Sequence, residues 1–300
     1  VARDDETALV RAMPWVFVLI WSTGFIVARY GMPYAPPLTF LSWRYALSIL
    51  CFGVWILLAR AAWPQGRAQW WHLGVTGVLM HAGYLGGVWA AVKAGIGAGT
   101  VALIVGVQPV LTAVWVTAVA SQGSARVTGR QWLGLACGLL GLALVVGRKL
   151  GLGEVTPLNL ALSLLALLSI TVGTLYQKRH VRPCDVRTAN TVQLLAALLV
   201  SAPLALLLET EPIVPHPHFF GALAWSVVGL TLGGSSLLYL LIQRGAATKV
   251  TSLFYLVPPC TALLAWLLFG EALTATTLVG MGLAAAGVWL VVRPAPVRAA

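Results

Sequence analysis

Apolar runs of about twenty residues, separated by short polar breaks, recur ten times along the chain. Read as helices, they cover 13–31, 37–59, 70–92, 97–120 and 128–147, then 156–176, 186–208, 219–242, 246–269 and 274–292. Each is long enough to cross a hydrocarbon layer of about 30 Å at about 1.5 Å per residue. Period-two alternation is missing, and barrel strands would be shorter and alternate polar with apolar positions. The pattern therefore predicts an all-α polytopic membrane protein of ten spans. Two runs carry proline in mid-sequence: Leu103-Ile-Val-Gly-Val-Gln-Pro109-Val-Leu111 in the fourth, and Ser252-Leu-Phe-Tyr-Leu-Val-Pro258-Pro259-Cys260 in the ninth. Proline inside a helix deletes a hydrogen bond and clashes with the preceding turn, at about 3 kcal/mol.

Composition strengthens the membrane reading. The chain is 59% hydrophobic and only 9% charged, with a mean hydropathy of +0.90. Ionic groups are too few to cover a globular surface. The first residues are polar and acidic and the first apolar run is a full span, so a cleavable signal peptide is not expected.

The net charge of +11 would point to nucleic acid in a soluble chain. Its distribution points to topology. With the N-terminus inside, fourteen Lys and Arg fall in inner segments, and only Arg29, Lys93, Arg148 and Lys149 in outer ones. The positive-inside rule then puts both termini in the cytoplasm, and no basic recognition element speaks for nucleic acid. Cys51, Cys137, Cys184 and Cys260 show no C-x-x-C pairing and read as small apolar filler.

The halves repeat. At an offset of 150, Gly95 falls on Gly245, Leu103 on Leu253 and Val107 on Val257; Pro109 falls on Pro259. At 149, Gly24 falls on Gly173 and Arg29 on Lys178; at 146, Gly134 falls on Gly280 and Gly141 on Gly287. Five crossings per half force the second copy to enter from the opposite side. The expected organisation is a cytoplasmic tail 1–12, a first five-helix repeat 13–150, an inverted repeat 151–293 and a cytoplasmic tail 294–300. Inverted repeats with interrupted helices in matching places are a mark of secondary transporters, with the substrate near the midplane between repeats. Pro109, Pro258 and Pro259 are thus expected to kink two helices around one central cavity.

Ten spans as five plus five, termini inside, with Trp21-Ser-Thr-Gly-Phe25, Pro258-Pro-Cys-Thr-Ala262 and Leu268-Phe-Gly-Glu271, resemble the drug/metabolite transporter superfamily, EamA type. The resemblance runs from Met13 to Val292 and is nearest to the YddG aromatic amino-acid exporters of bacterial inner membranes. It implies an inner-membrane secondary transporter that exports amino acids, aromatic ones foremost, and related amphipathic metabolites by alternating access. It implies no cofactor. The first half lacks a glutamate matching Glu271, so that residue's role is not symmetric.

A polar group inside hydrocarbon is costly, so each one is informative. Arg44 lies about 10 Å from the outer end of its span, counted from Pro37. It either binds an anionic or carboxylate group, or reaches out to the headgroups or pairs with a carbonyl. His81 sits mid-span, with Tyr84 one turn along the same face. Trp21 and Gln108 are also near the midplane, and Ser252, Tyr255 and Tyr239 lie on the cytoplasmic side of the second half. These eight are the candidate substrate-binding residues. Gly233 and Gly234 are candidate gating positions with the three prolines. The remaining tryptophans mostly mark span ends, as Trp15, Trp70, Trp71 and Trp132 do. Small-residue faces on spans five and ten suit helix packing and raise the expectation of a homo-oligomer through those spans.

Other readings are a multidrug or other-metabolite carrier of the same fold and, less well supported, an intramembrane enzyme. The eight carboxylates all lie outside spans or at their ends, so neither a catalytic site nor a metal site is expected.

Overall fold

The computed structural model describes residues 8–119, 129–238 and 256–292, and in them every regular element is helical. The second and seventh spans, Pro37–Ala59 and Val186–Leu208, begin and end where the apolar pattern places them. Pro37 opens the former, at a position where a missing N–H costs nothing. Asp185 caps the latter by accepting from the Arg187 N–H. The Arg187 side chain bonded to it also holds the Asp185 carboxyl below the usual carboxylate range.

The first helix, Ala8–Gly31, starts before the expected Met13, so part of the anticipated tail is helical. The fifth and sixth spans, Gly129–Gly151 and Pro157–His180, each run a turn further than expected. A Thr156 capping box starts the sixth. Six helices are long and apolar enough to cross a membrane, and four shorter apolar helices occupy the remaining spans. Leucines such as Leu57, Leu58, Leu206 and Leu207 point outward, as a surface facing lipid requires.

The packing obeys a two-fold relation. Spans two and seven, four and nine, and five and ten pair with their own equivalents. Span three packs on span six and span one on span eight, which the same relation exchanges. Spans five and ten approach backbone to backbone. A Cβ on Gly141 would strike the Gly280 carbonyl, and one on Gly287 would strike Gly134. These glycine faces are occupied within one chain, so they cannot also seat a second copy.

The proline expectation needs correction. Span four is two helices, Ala98–Val105 and Gln108–Val119, and the break is at Gly106 and Val107. Pro109 lies in the first turn of the restarted helix. Pro258 and Pro259 likewise occupy the first turn of Val257–Phe269. There the clash and the lost bond do not arise. The prolines therefore stand in the first turns of helices, and in span four the turn before Pro109 falls at Gly106 and Val107. The break of span four meets the start of Val257–Phe269 directly, because a Cβ on Gly106 would lie 2.6 Å from Pro258 Cγ. That junction is packed.

Candidate functional site

Two stretches of π-helix, Val78–Gly83 in span three and Ser226–Ser235 in span eight, stand in equivalent places of the two repeats. The wider turn of a π-helix is costly, persists mainly as short segments and is frequent at functional sites. Nearby hydroxyls satisfy the carbonyls it displaces. Thr231 Oγ1 donates to the Ser226 carbonyl at 2.8 Å, and the Tyr45 hydroxyl to the His81 carbonyl at 2.9 Å. Nothing in the apolar pattern distinguishes these stretches from α-helix.

Four predicted residues converge between them. The His81 side chain interacts with Gln193 of span seven, and Tyr84 with Trp21 of span one. Arg44 reaches from span two to span eight, its Nε donating to Thr231 Oγ1 at 3.1 Å. Its charge acts on both His81 and Tyr84. Thr231 lies past the midpoint of its span, so the guanidinium points into the bundle. Arg44 therefore does not reach outward to the headgroups. Trp21 and His81 keep partial accessibility, whereas Tyr84 is nearly covered. Trp89, the other deep tryptophan, is stacked on Phe40 at 4.4 Å in the core.

Gln108 is placed differently. Its amide donates to Thr174 Oγ1 at 3.1 Å, tying it to span six. Gly233 and Gly234 fall inside the second π segment, where Gly234 makes room for Ile20 and Trp21 of span one. Tyr239, Ser252 and Tyr255 lie outside the described residues. Sequence reasoning missed Gln193 and Tyr45. The signal for Gln193 was present, since it is an amide in the middle of an apolar span.

The repeats are tied together at the end of the bundle where span one finishes and span two begins. Glu271, after span nine, accepts from Arg29 Nη1 at 2.7 Å and from the Ala98 N–H at 3.0 Å, at the start of span four. Glu209, at the end of span seven, accepts from the Leu38 and Thr39 N–H groups at 2.7 and 2.8 Å. Each carboxylate thus meets the positive N-terminus of a helix from the other repeat. At the opposite end of the bundle, the Gln69 amide donates to the Arg182 carbonyl at 2.8 Å and accepts the Arg182 N–H at 3.2 Å. A polar group between two repeats, with cross-repeat ties at either end, has the parts that alternating access needs.

Comparison with known proteins agrees with this architecture. The model of the EamA-like transporter family matches residues 13–147 and again 158–293. A probable amino-acid metabolite efflux pump of Salmonella typhimurium is 25% identical over 287 residues, 91% of either chain. The uncharacterized transporter YvbV of Bacillus subtilis is 25% identical over 303 residues, 95% of this chain and 91% of its own. A solved crystal structure superposes with a TM-score of 0.66 at 17% identity, covering 95% of this chain and 97% of that one. That last likeness concerns the fold alone.

Proposed function

We propose, from the premise that the chain belongs to the EamA-like transporter family, that this multi-pass membrane transporter exports amino acids and related amphipathic metabolites. Among amino acids, the aromatic ones are its foremost substrates. The observation that carries this reading is the grouping of Trp21, His81, Tyr84 and Arg44 between the two π segments. The substrate ring lies against Trp21, while His81 and Gln193 supply hydrogen bonds to its polar end. The amino-acid metabolite efflux named for the Salmonella relative supports the same substrate class. A multidrug carrier would be expected to offer a broader apolar chamber with fewer fixed polar groups.

His81→Ala should leave a folded protein and reduce transport about tenfold, the scale of one polar contact worth about 1.4 kcal/mol. Tyr84→Ala should reduce transport of bulky aromatic substrates more than of small ones, through release of Trp21. The check is substrate-screened transport in liposomes. Parental rates for every amino acid in His81→Ala would return the histidine to a packing role.

The transporter acts in a bacterial inner membrane with both termini cytoplasmic. The support is the fourteen-to-four bias of basic residues. A reporter fused to the C-terminus should be active only on the cytoplasmic side. An external signal would reverse the orientation.

A further inference from the structure

The charges of the interior do not balance. Of the eight acidic residues, Asp4, Asp5 and Glu6 precede the first helix, and the other five stand at span ends. Glu154, Asp185, Glu211 and Glu271 are paired there with Lys149, Arg187, Lys93 and Arg29. Glu209 is held by backbone N–H groups. No segment outside the described residues adds a carboxylate, apart from those three at the N-terminus. Arg44 is only 5% exposed, and among the described residues it has no ion pair. A guanidinium has five N–H donors, and the single hydrogen bond here uses Nε alone.

The remaining donors are poised for one kind of ligand. The Thr231 hydroxyl has committed its proton to the Ser226 carbonyl, so its oxygen faces Arg44 Nε as an acceptor and fixes the fork. Nη1 and Nη2 then present the parallel N–H pair that a carboxylate accepts. The other end of a zwitterion finds no such partner. A substrate ammonium would lie near a guanidinium with only neutral oxygens around it, and the His81 carbonyl is already engaged by Tyr45. A charge desolvated without a counter-charge is costly.

We propose that Arg44 is the specificity-determining anion receptor of this chamber and that it selects a carboxylate on an apolar or aromatic body, the amino group being dispensable. Amino acids are then carried alongside, and less tightly than, their deaminated relatives. This rests on the reading that the Trp21–His81–Arg44 chamber is the substrate site.

Three probes with one ring and different charges test it: 3-phenylpropionate, phenylalanine and phenethylamine. Binding to the purified full chain is measured by calorimetry, which requires no variant. The expected order is phenylpropionate at least tenfold tighter than phenylalanine, with no saturable binding of phenethylamine. Arg44→Gln should remove phenylpropionate binding, and Arg44→Lys should restore part of it, since the charge returns without the fork. Size-exclusion profiles establish that both variants fold. Phenethylamine binding as tightly as phenylpropionate would overturn the inference, as would absent phenylpropionate binding or parental affinity in folded Arg44→Gln. Trp21→Ala separates the two readings. Unchanged phenylpropionate affinity in Trp21→Ala together with loss in Arg44→Gln would sink the chamber assignment and leave the anion receptor standing.

Discussion

Gly141→Leu is expected to abolish folded protein, and Gly282→Leu, on the partner helix, to be tolerated. Spans five and ten touch along their backbones, with little side chain between them. A Cβ on Gly141 would meet the Gly280 carbonyl, and would lie 2.8 Å from the Ala284 nitrogen and 3.0 Å from Leu283 Cβ. The relation is reciprocal, since a Cβ on Gly280 would lie 2.6 Å from the Gly141 carbonyl oxygen. Backbone atoms in a helix cannot move aside singly, so the larger residue must separate two whole helices. In lipid the loss is direct, because close packing, and not water exclusion, is what draws helices together. Ordinary overpacking costs about 1–3 kcal/mol. Separating this seam also opens the neighbouring Gly287–Gly134 approach, which would take a large share of a total stability of about 5–15 kcal/mol. A Cβ at Gly282 meets nothing within 4 Å, so it controls for leucine insertion itself. Detergent-solubilised yield and thermal unfolding read the difference. A monodisperse, normally stable Gly141→Leu protein would show that the seam yields.

The same seam illustrates how unevenly the sequence discloses the structure. Glycines at helical spacing on spans five and ten announced close packing; the 146-residue offset matched equivalent positions, Gly134 with Gly280 and Gly141 with Gly287, whereas the contacts are crossed, Gly141 on Gly280 and Gly134 on Gly287. Helix existence was legible because apolar runs of this length have few other uses. Ends were legible where a residue acts locally, as Pro37 and Asp185 do. The breaks were less so. Proline is compatible both with a kink and with a helix start, and only the position of the turn at Gly106 distinguishes them. The π segments were invisible because their residues keep the same apolar pattern as α-helix, and the Tyr45 hydroxyl that bonds the His81 carbonyl comes from another span. In the site, burial cost singled out Arg44 and His81 as polar groups within spans. Their directions came from partners distant in sequence, Thr231 and Gln193. Gln108 had depth, and its bond to Thr174 ties it to span six, a partner the sequence did not indicate.

Glu271→Ala is expected to shift the protein away from the state that is closed at its outer end. One carboxylate there joins three elements. Oε1 accepts from Arg29 at the end of span one and from the Ala98 N–H that begins span four, while Glu271 itself follows span nine of the other repeat. Gly97 lets it approach, since a Cβ there would lie 2.7 Å from Oε2. Arg29 is further steadied over the Phe269 ring at 5.0 Å. The Arg29 side chain is 37% exposed, so its ion pair is discounted to under about 1 kcal/mol by solvent screening. The charged hydrogen bond at the helix start contributes about 1.5–3 kcal/mol. A combined loss of about 2–3 kcal/mol corresponds to a change of about 30- to 150-fold in the balance between closed and open outer ends. Thr100, 2% exposed and one turn into span four, is a suitable reporter. With the native cysteines replaced, Thr100→Cys should react slowly with an impermeant maleimide added outside and at least tenfold faster when combined with Glu271→Ala. Glu271→Gln should fall between, because its amide oxygen still accepts from Ala98 but no longer neutralises Arg29. Labelling that stayed slow in Glu271→Ala would mean that Glu209, through its bonds to Leu38 and Thr39, holds the outer end shut without it.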